Sequence, residues 1–403
     1  MTDTPLATDW PATHAACQPI PLTDIDIAGY LGRYVEQNRD SVLAALDSAI
    51  PRGFEARAAG EPLPPEADRL AADSDLYKWL EGACYVYART NDAQVKAAID
   101  RIASLILQCQ EPDGYINTQV PPYERFDPSI RHELYSAGHF SEAAVAHHRT
   151  TGSTDLLNAA RRWVDYLLAD HAAGNVYYDK SALWEHSEYE LAFLRLARET
   201  GDPTYTEFAI TLARELNHVG PTVADIKAGG TLHAVRVGYL LAGLADLYLE
   251  TGRDDLAEHL ESLWTELVET RMYITGGMAN LGEHISPTPF DLPHTQKDPH
   301  RTMGETCSSI ALILFGLRLH AMTGESHCFD TIETILYNHL LGAISLDGLG
   351  SFYYNPLRVV GDQTHRTDHW HTPATTRCML PELNKTTCCM PNIWRFMGAL
   401  PEY

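Results

Sequence analysis

The chain has 403 residues, a formal net charge of −24 at pH 7, 45% hydrophobic and 21% charged residues. That apolar content supports a packed core and excludes disorder along the whole length. So acidic a surface repels phosphate backbones and anionic lipids, which argues against nucleic-acid or membrane partners.

No run of about 18 apolar residues long enough to cross a bilayer is expected. The start, Met1-Thr2-Asp3-Thr4-Pro5, lacks the basic-then-apolar pattern of a secretory signal. Eight cysteines, at 17, 84, 109, 307, 328, 378, 388 and 389, are too few and scattered for a disulfide scaffold. A reducing cytoplasm is the expected setting, and there neighbouring cysteines point to metal binding or catalysis.

In chain order, residues 1–25 read as an N-terminal extension and 26–403 as one domain. Helical periodicity places helices near 26–48, 74–89, 94–109, 131–150, 154–170, 186–199, 203–216, 231–251, 255–269, 303–322, 325–343 and 389–400. A dipeptide recurs at helix ends: Thr151-Gly152, Thr200-Gly201, Thr251-Gly252 and Thr323-Gly324, with Thr90-Asn91 in the same role. Gly or Asn there can adopt the left-handed conformation that closes a helix. The successive gaps of 61, 49, 51 and 72 residues read as a repeating helix pair. Twelve helices in six pairs predict a closed all-α double ring, an (α/α)6 barrel; an open solenoid would need polar caps at both ends. Two stretches break the repeat. Residues 270–302 are loop-like, and residues 344–387 read as a small β-rich insertion with 351–356 as a strand.

The chemistry concentrates near the C-terminus. Glu305-Thr306-Cys307 opens one predicted helix, and Cys388-Cys389, followed by Pro391, opens another. Helix N-termini favour thiolates, and three thiolates with one carboxylate make a plausible tetrahedral Zn²⁺ site. Buried structural thiols, or a strained Cys388–Cys389 disulfide, are the competing readings. His139, His186 and His233 each lie at or near the start of an alternate helix, so a ring would bring them to one mouth, where neutral imidazoles can bind sugar hydroxyls. Tyr77-Lys78-Trp79 and Asp113-Gly114-Tyr115 are weaker candidates: a helical Trp is usually core, and Asp-Gly is usually a turn.

The chain resembles glycoside hydrolase family 127, the β-L-arabinofuranosidase family. The resemblance is carried by Ser74-Asp75-Leu76-Tyr77-Lys78-Trp79-Leu80-Glu81, Gln110-Glu111-Pro112-Asp113-Gly114-Tyr115, His132-Glu133-Leu134-Tyr135 through His139, and Glu188-Tyr189-Glu190. Further on it is carried by Ile274-Thr275-Gly276-Gly277, Glu305-Thr306-Cys307, Leu336-Tyr337-Asn338 and Cys388-Cys389-Met390-Pro391. It implies an (α/α)6 barrel and a retaining hydrolase acting on a furanoside. Glu305, Cys307, Cys388 and Cys389 would hold Zn²⁺, Cys388 would be the nucleophile, and Glu283 the acid/base, its pKa raised by partial burial. His139, His186 and His233 would bind the sugar.

Family members continue into β-sandwich domains, so a partner chain supplying a β domain, or a homo-oligomer, is an expectation for this chain. The stretch from Glu283 to Glu305 is longer than the family pattern, and no glutamine sugar contact is found near 42–49. The alternatives are a glycosyl-transferring or otherwise non-hydrolytic enzyme on an unusual sugar, and a non-catalytic sugar- or partner-binding barrel.

Overall fold

The computed structural model describes residues 14–68, 71–119, 125–126, 132–174, 186–215, 232–279, 283–285, 304–353, 355, 377–379 and 388–403. Six helices form an inner ring: α3 (Ala72–Thr90), α5 (Glu133–Thr151), α7 (Tyr189–Thr200), α9 (Ala234–Thr251), α11 (Thr306–Thr323) and α13 (Cys389–Ala399). Each packs against the next, and α13 returns to α3, closing the circle. Around them stand α1 (Gly29–Ala44), α4 (Ala93–Gln108), α6 (Asp155–Ala172), α8 (Thr204–Glu215), α10 (Asp254–Thr270) and α12 (His327–Thr334). The ring is the expected (α/α)6 barrel, and no solenoid ends are left open.

The two layers follow from burial. Outer helices such as α4 and α6 bury one stripe: Val95, Ile99, Ile102 and Ile106 on α4, and Leu156, Ala160, Trp163 and Leu167 on α6. Inner helices are buried nearly all round, and α11 buries 16 of its 18 residues. By length and mean hydropathy α11 is apolar enough to cross a bilayer, but it is buried inside the barrel as its core helix. Inner helices also approach closely. A Cβ on Gly82 of α3 would stand 2.8 Å from the Trp394 carbonyl carbon of α13, and one on Gly238 of α9 would stand 2.6 Å from Ala311 Cβ of α11.

The repeated dipeptide is a shared end-cap for inner helices. The hydroxyls of Thr90, Thr151, Thr200, Thr251 and Thr323 donate to the carbonyl four residues back at 2.6–2.9 Å. The next residue is left-handed in every case, with φ between 51° and 76°. Five of the inner helices therefore end in the same local way.

Three local features depart from the sequence expectation. A short helix, α2 (Arg52–Ala59), lies between α1 and α3; eight residues after a proline are too few to show a period. The helix expected over 325–343 ends at Thr334 and continues as a π-helical turn, Ile335–Leu340, before the final turn Leu341–Ala343. That turn carries His339 inward, where it is 3% exposed with Nδ1 2.7 Å from Ser309 Oγ on α11. The β-rich insertion is a two-stranded antiparallel ribbon, β1 (Gly350–Phe352) against β2 (Arg377–Met379). The rest of 354–387, apart from Asn355, and most of the long loop before 304 lie outside the described residues. The segment 14–25 packs on the barrel, with Ala16 N–H donating to Ala321 O at 2.7 Å.

Candidate active site

Parallel inner helices bring six starting turns to one mouth. The residue just before each helix is Ala71 (α3), His132 (α5), Glu188 (α7), His233 (α9), Glu305 (α11) and Cys388 (α13). The positive ends of six helix dipoles meet there, which favours anionic groups. Ala71 and His132 hold left-handed backbone at φ 55° and 44°, a strain that concentrates at such sites.

Two neighbouring starts carry the cysteine cluster. One ligand atom from each of Glu305, Cys307, Cys388 and Cys389 lies within 4.8 Å of the others. Cys307 Sγ is 3.3 Å from Cys389 Sγ, and Cys388 Sγ donates to Glu305 Oε1 at 3.8 Å. All three thiols are outside any disulfide, so no Cys388–Cys389 bridge forms. The electrostatics show four acidic groups sharing a space with too little positive charge. Burial pushes Cys307 up, but thiol donors from Cys388 and Cys389 outweigh it and bring it down to about 6. The hydrogen bond with Cys307 then raises Cys388, and burial, with Cys388 beside it, raises Glu305 well above the carboxylate range. Glu305 Oε2 is buried without a hydrogen-bond partner among the described residues. An orphaned carboxylate oxygen beside three thiols is the donor set that a soft divalent cation fits. Glu305, Cys307, Cys388 and Cys389 therefore fit Zn²⁺.

Glu283 stands beside the cluster, at the start of the neighbouring helix α9, fixed by main-chain pairing. Ala234 N–H donates to Glu283 O at 2.9 Å, Ile285 N–H donates to Leu232 O at 2.9 Å, and His233 and His284 form an antiparallel bridge. His233 Nδ1 accepts the Val235 N–H at 3.2 Å, capping α9. That leaves Nε2 as the protonated nitrogen, 3.3 Å from Glu283 Oε2. Tyr353, just beyond β1, donates its hydroxyl to Glu283 Oε1. A ligand atom each from Glu283, His233 and Glu305 also fall within 4.8 Å.

The expected rise in the Glu283 pKa is not found. Burial pushes it up, but the His233 and Tyr353 donors prevail and hold the carboxyl at about 2. Sequence reasoning could weigh burial but could not see two donors converge from α9 and from beyond β1.

The histidines do gather. His186 packs 5.3 Å from His233 and 5.8 Å from His132, and His233 lies 5.6 Å from His284, between ring centroids. Tyr135 joins His139 and His186 at 4.4 and 4.3 Å. His139 sits deepest, 0% exposed with Nδ1 3.1 Å from Glu188 Oε1. Burial holds both His139 and His186 neutral. Lys78, 1% exposed, places Nζ 4.8 Å over the Tyr135 ring and donates to Ser74 Oγ at 3.3 Å; Trp79 is core, its Nε1 donating to Val42 O at 2.8 Å.

Sequence reasoning missed Tyr353, Glu188, Tyr239 and Arg395. The first lay in the segment read only as a strand, and the other three carry no spacing that marks them. A small cavity of about 40 Å³ lies towards the other end of the ring against Glu81, Asp246, Arg318 and Tyr403. It contains none of the expected site residues.

Residues 32–402 match a family model described as β-L-arabinofuranosidase, GH127 catalytic domain. A curated relative, a non-reducing end β-L-arabinofuranosidase from Bifidobacterium longum subsp. longum, is 31% identical over 82% of this chain and 54% of its own length. The crystal structure of Ara127N, a GH127 β-L-arabinofuranosidase from Geobacillus stearothermophilus T6, superposes with a TM-score of 0.77 at 27% identity, over 94% of this chain and 65% of that one. A second GH127 β-arabinofuranosidase structure gives 0.80 at 25% identity, over 97% and 62%. A cellobiose 2-epimerase from Spirochaeta thermophila, at 13% identity and 0.53 over 93% and 98%, shares the fold alone. The chain thus spans about half the length of the curated relative that it matches.

Proposed function

Because the chain belongs to glycoside hydrolase family 127, we propose that it is a retaining glycosidase acting on a furanoside, β-L-arabinofuranoside foremost, with Cys388 as nucleophile and Glu283 as acid/base. Zn²⁺ held by Glu305, Cys307, Cys388 and Cys389 completes the reading. The observation that carries it is the gathering of these four ligand atoms within 4.8 Å at two helix starts, with Glu283 within 4.8 Å of Glu305 beside them.

The residues divide the work as follows. His139 and His186, both neutral, and His233 orient the sugar by hydrogen bonds to its hydroxyls. Cys388 Sγ attacks the anomeric carbon while Glu283 gives a proton to the departing oxygen, leaving a thioglycosyl bond. Glu283 then takes a proton from water, which displaces the sulfur with a second inversion and net retention. When bound, Zn²⁺ supplies positive charge that keeps the sulfurs as thiolates at neutral pH. The first step needs Glu283 protonated, whereas His233 and Tyr353 hold it ionised. The entering glycoside therefore has to take over at least one of those donors.

The test uses an aryl β-L-arabinofuranoside with the wild type, Cys388→Ser and Glu283→Gln, and follows the anomeric configuration of the first product by NMR. Retention, with both variants slowed about 10³-fold or more, is the expected result. Full turnover by either variant, or an inverted product, overturns the assignment. Metal analysis should find one zinc per chain, lost in Cys307→Ala.

A further inference from the structure

Helix α13 carries the two cysteines on its first turn, yet Cys388 makes no side-chain capping bond there. The helix is held from below. Arg395, 5% exposed, lies at the centre of the ring. Its Nη1 donates to Glu142 Oε2 at 2.8 Å, Glu188 Oε1 at 3.1 Å and Glu81 Oε2 at 3.4 Å. Nη2 donates to Tyr239 OH at 2.9 Å, and Nε to Asn392 Oδ1 at 2.7 Å. One guanidinium thus ties α13 to α3, α5, α9 and the start of α7.

Two of these contacts lead back to the mouth. Asn392 Nδ2 donates to the same Tyr239 hydroxyl at 2.7 Å, and Asn392 N–H donates to Cys388 O at 3.2 Å. On the other side, Glu188 Oε1 is also 3.1 Å from Nδ1 of His139. Arg395 therefore stands between the cysteine turn and the sugar-facing histidines, bonded to a neighbour of each.

We propose that Arg395 is a positioning residue for the reaction: its planar fork sets the height and rotation of the cysteine turn relative to His139 and thereby the place of Cys388 Sγ. The proposal rests on the reading of Cys388 as nucleophile. A fork is required because five acceptors are divided among three separate nitrogens, a spread that a single lysine ammonium cannot reproduce. A misplacement of the order of 1 Å at a reacting atom costs about 10²-fold in rate.

The test compares wild type, Arg395→Lys and Tyr239→Phe as zinc proteins and as Co²⁺-substituted proteins. Arg395→Lys keeps the buried charge, and Tyr239→Phe keeps the charge and the fork. Expected for Arg395→Lys is a folded protein by circular dichroism, kcat lowered about 10–100-fold with KM changed far less, and shifted Co²⁺–thiolate absorption. Tyr239→Phe shifts the bands in the same direction by less. Wild-type kcat per folded molecule with unchanged Co²⁺ bands in Arg395→Lys overturns the proposal; should that variant not fold, the same outcome in Tyr239→Phe overturns it. The spectrum is read without turnover, so a wild type inactive on arabinofuranosides defeats the reading of the reaction while the bands still decide the role of Arg395.

Discussion

Gly82→Ala adds one methyl group where the barrel closes. The new Cβ would stand 2.8 Å from the Trp394 carbonyl carbon, 2.9 Å from Arg395 N and 2.9 Å from Trp394 O. All three are backbone atoms of α13, so no rotamer change relieves them. Van der Waals contact needs about 3.5 Å, and α13 must withdraw from α3 by roughly 0.6 Å. Overpacking of this kind costs about 1–3 kcal/mol. Unfolding entropy of about 2.1 cal/mol/K per residue amounts to roughly 0.8 kcal/mol/K for a chain of this length, so the melting temperature should fall by about 1–4 °C. The functional loss should be larger than the stability loss. The first turn of α13 supplies two of the four proposed zinc ligands, and a zinc site accepts displacements of only about 0.2 Å. Zinc affinity, measured by chelator competition, should fall about 10-fold or more, alongside scanning calorimetry. Gly342→Ala is the control, since a Cβ there meets nothing within 4 Å. Unchanged melting and unchanged zinc affinity in Gly82→Ala would refute the claim that this close approach sets the position of the cysteine helix.

Gly201→Ala places a side chain at φ 70°, where nothing lies within 4 Å; backbone strain alone should cost about 1–2 kcal/mol, and a variant as stable as wild type in urea would contradict the end-cap reading. Glu305→Gln should lower zinc affinity by more than the ~10–100-fold typical of an outer-shell loss. The metal-free variant should melt no lower than metal-free wild type, because burial and Cys388 already hold the carboxyl towards its neutral form; a lower melting temperature would show that the ionised carboxylate stabilises the fold. Burial lowers His147 to about 4 from an ordinary 6.5. The folded state thus resists protonation, and its stability from this group is complete above pH 6.5 and is lost as pH falls to about 4, up to roughly 3 kcal/mol. His147→Gln should flatten the fall in melting temperature across that window; an unaltered slope would remove His147 as its cause.

The ring and the candidate reactive groups were legible in the chain alone. Thr-Gly ends recur because a left-handed residue and a Thr hydroxyl close each inner helix in the same local way, so they are legible without tertiary knowledge. Glu305-Thr306-Cys307 and Cys388-Cys389 were legible because local sequence puts each pair on one helix start, and the ring then brings two starts together. What tertiary structure decided was the state of those groups. Glu283 is held ionised because His233 and Tyr353, 50 residues before it and 70 after it, aim donors at one carboxylate. Arg395 carries no motif, and its importance comes from carboxylates on three other inner helices meeting at one point. The π-helical turn that buries His339 is likewise set by packing against Ser309 rather than by propensity. Capping and periodicity act over a few residues and can be read from the chain, whereas hydrogen-bond donors and buried charges act across the ring and depend on which helices it makes neighbours.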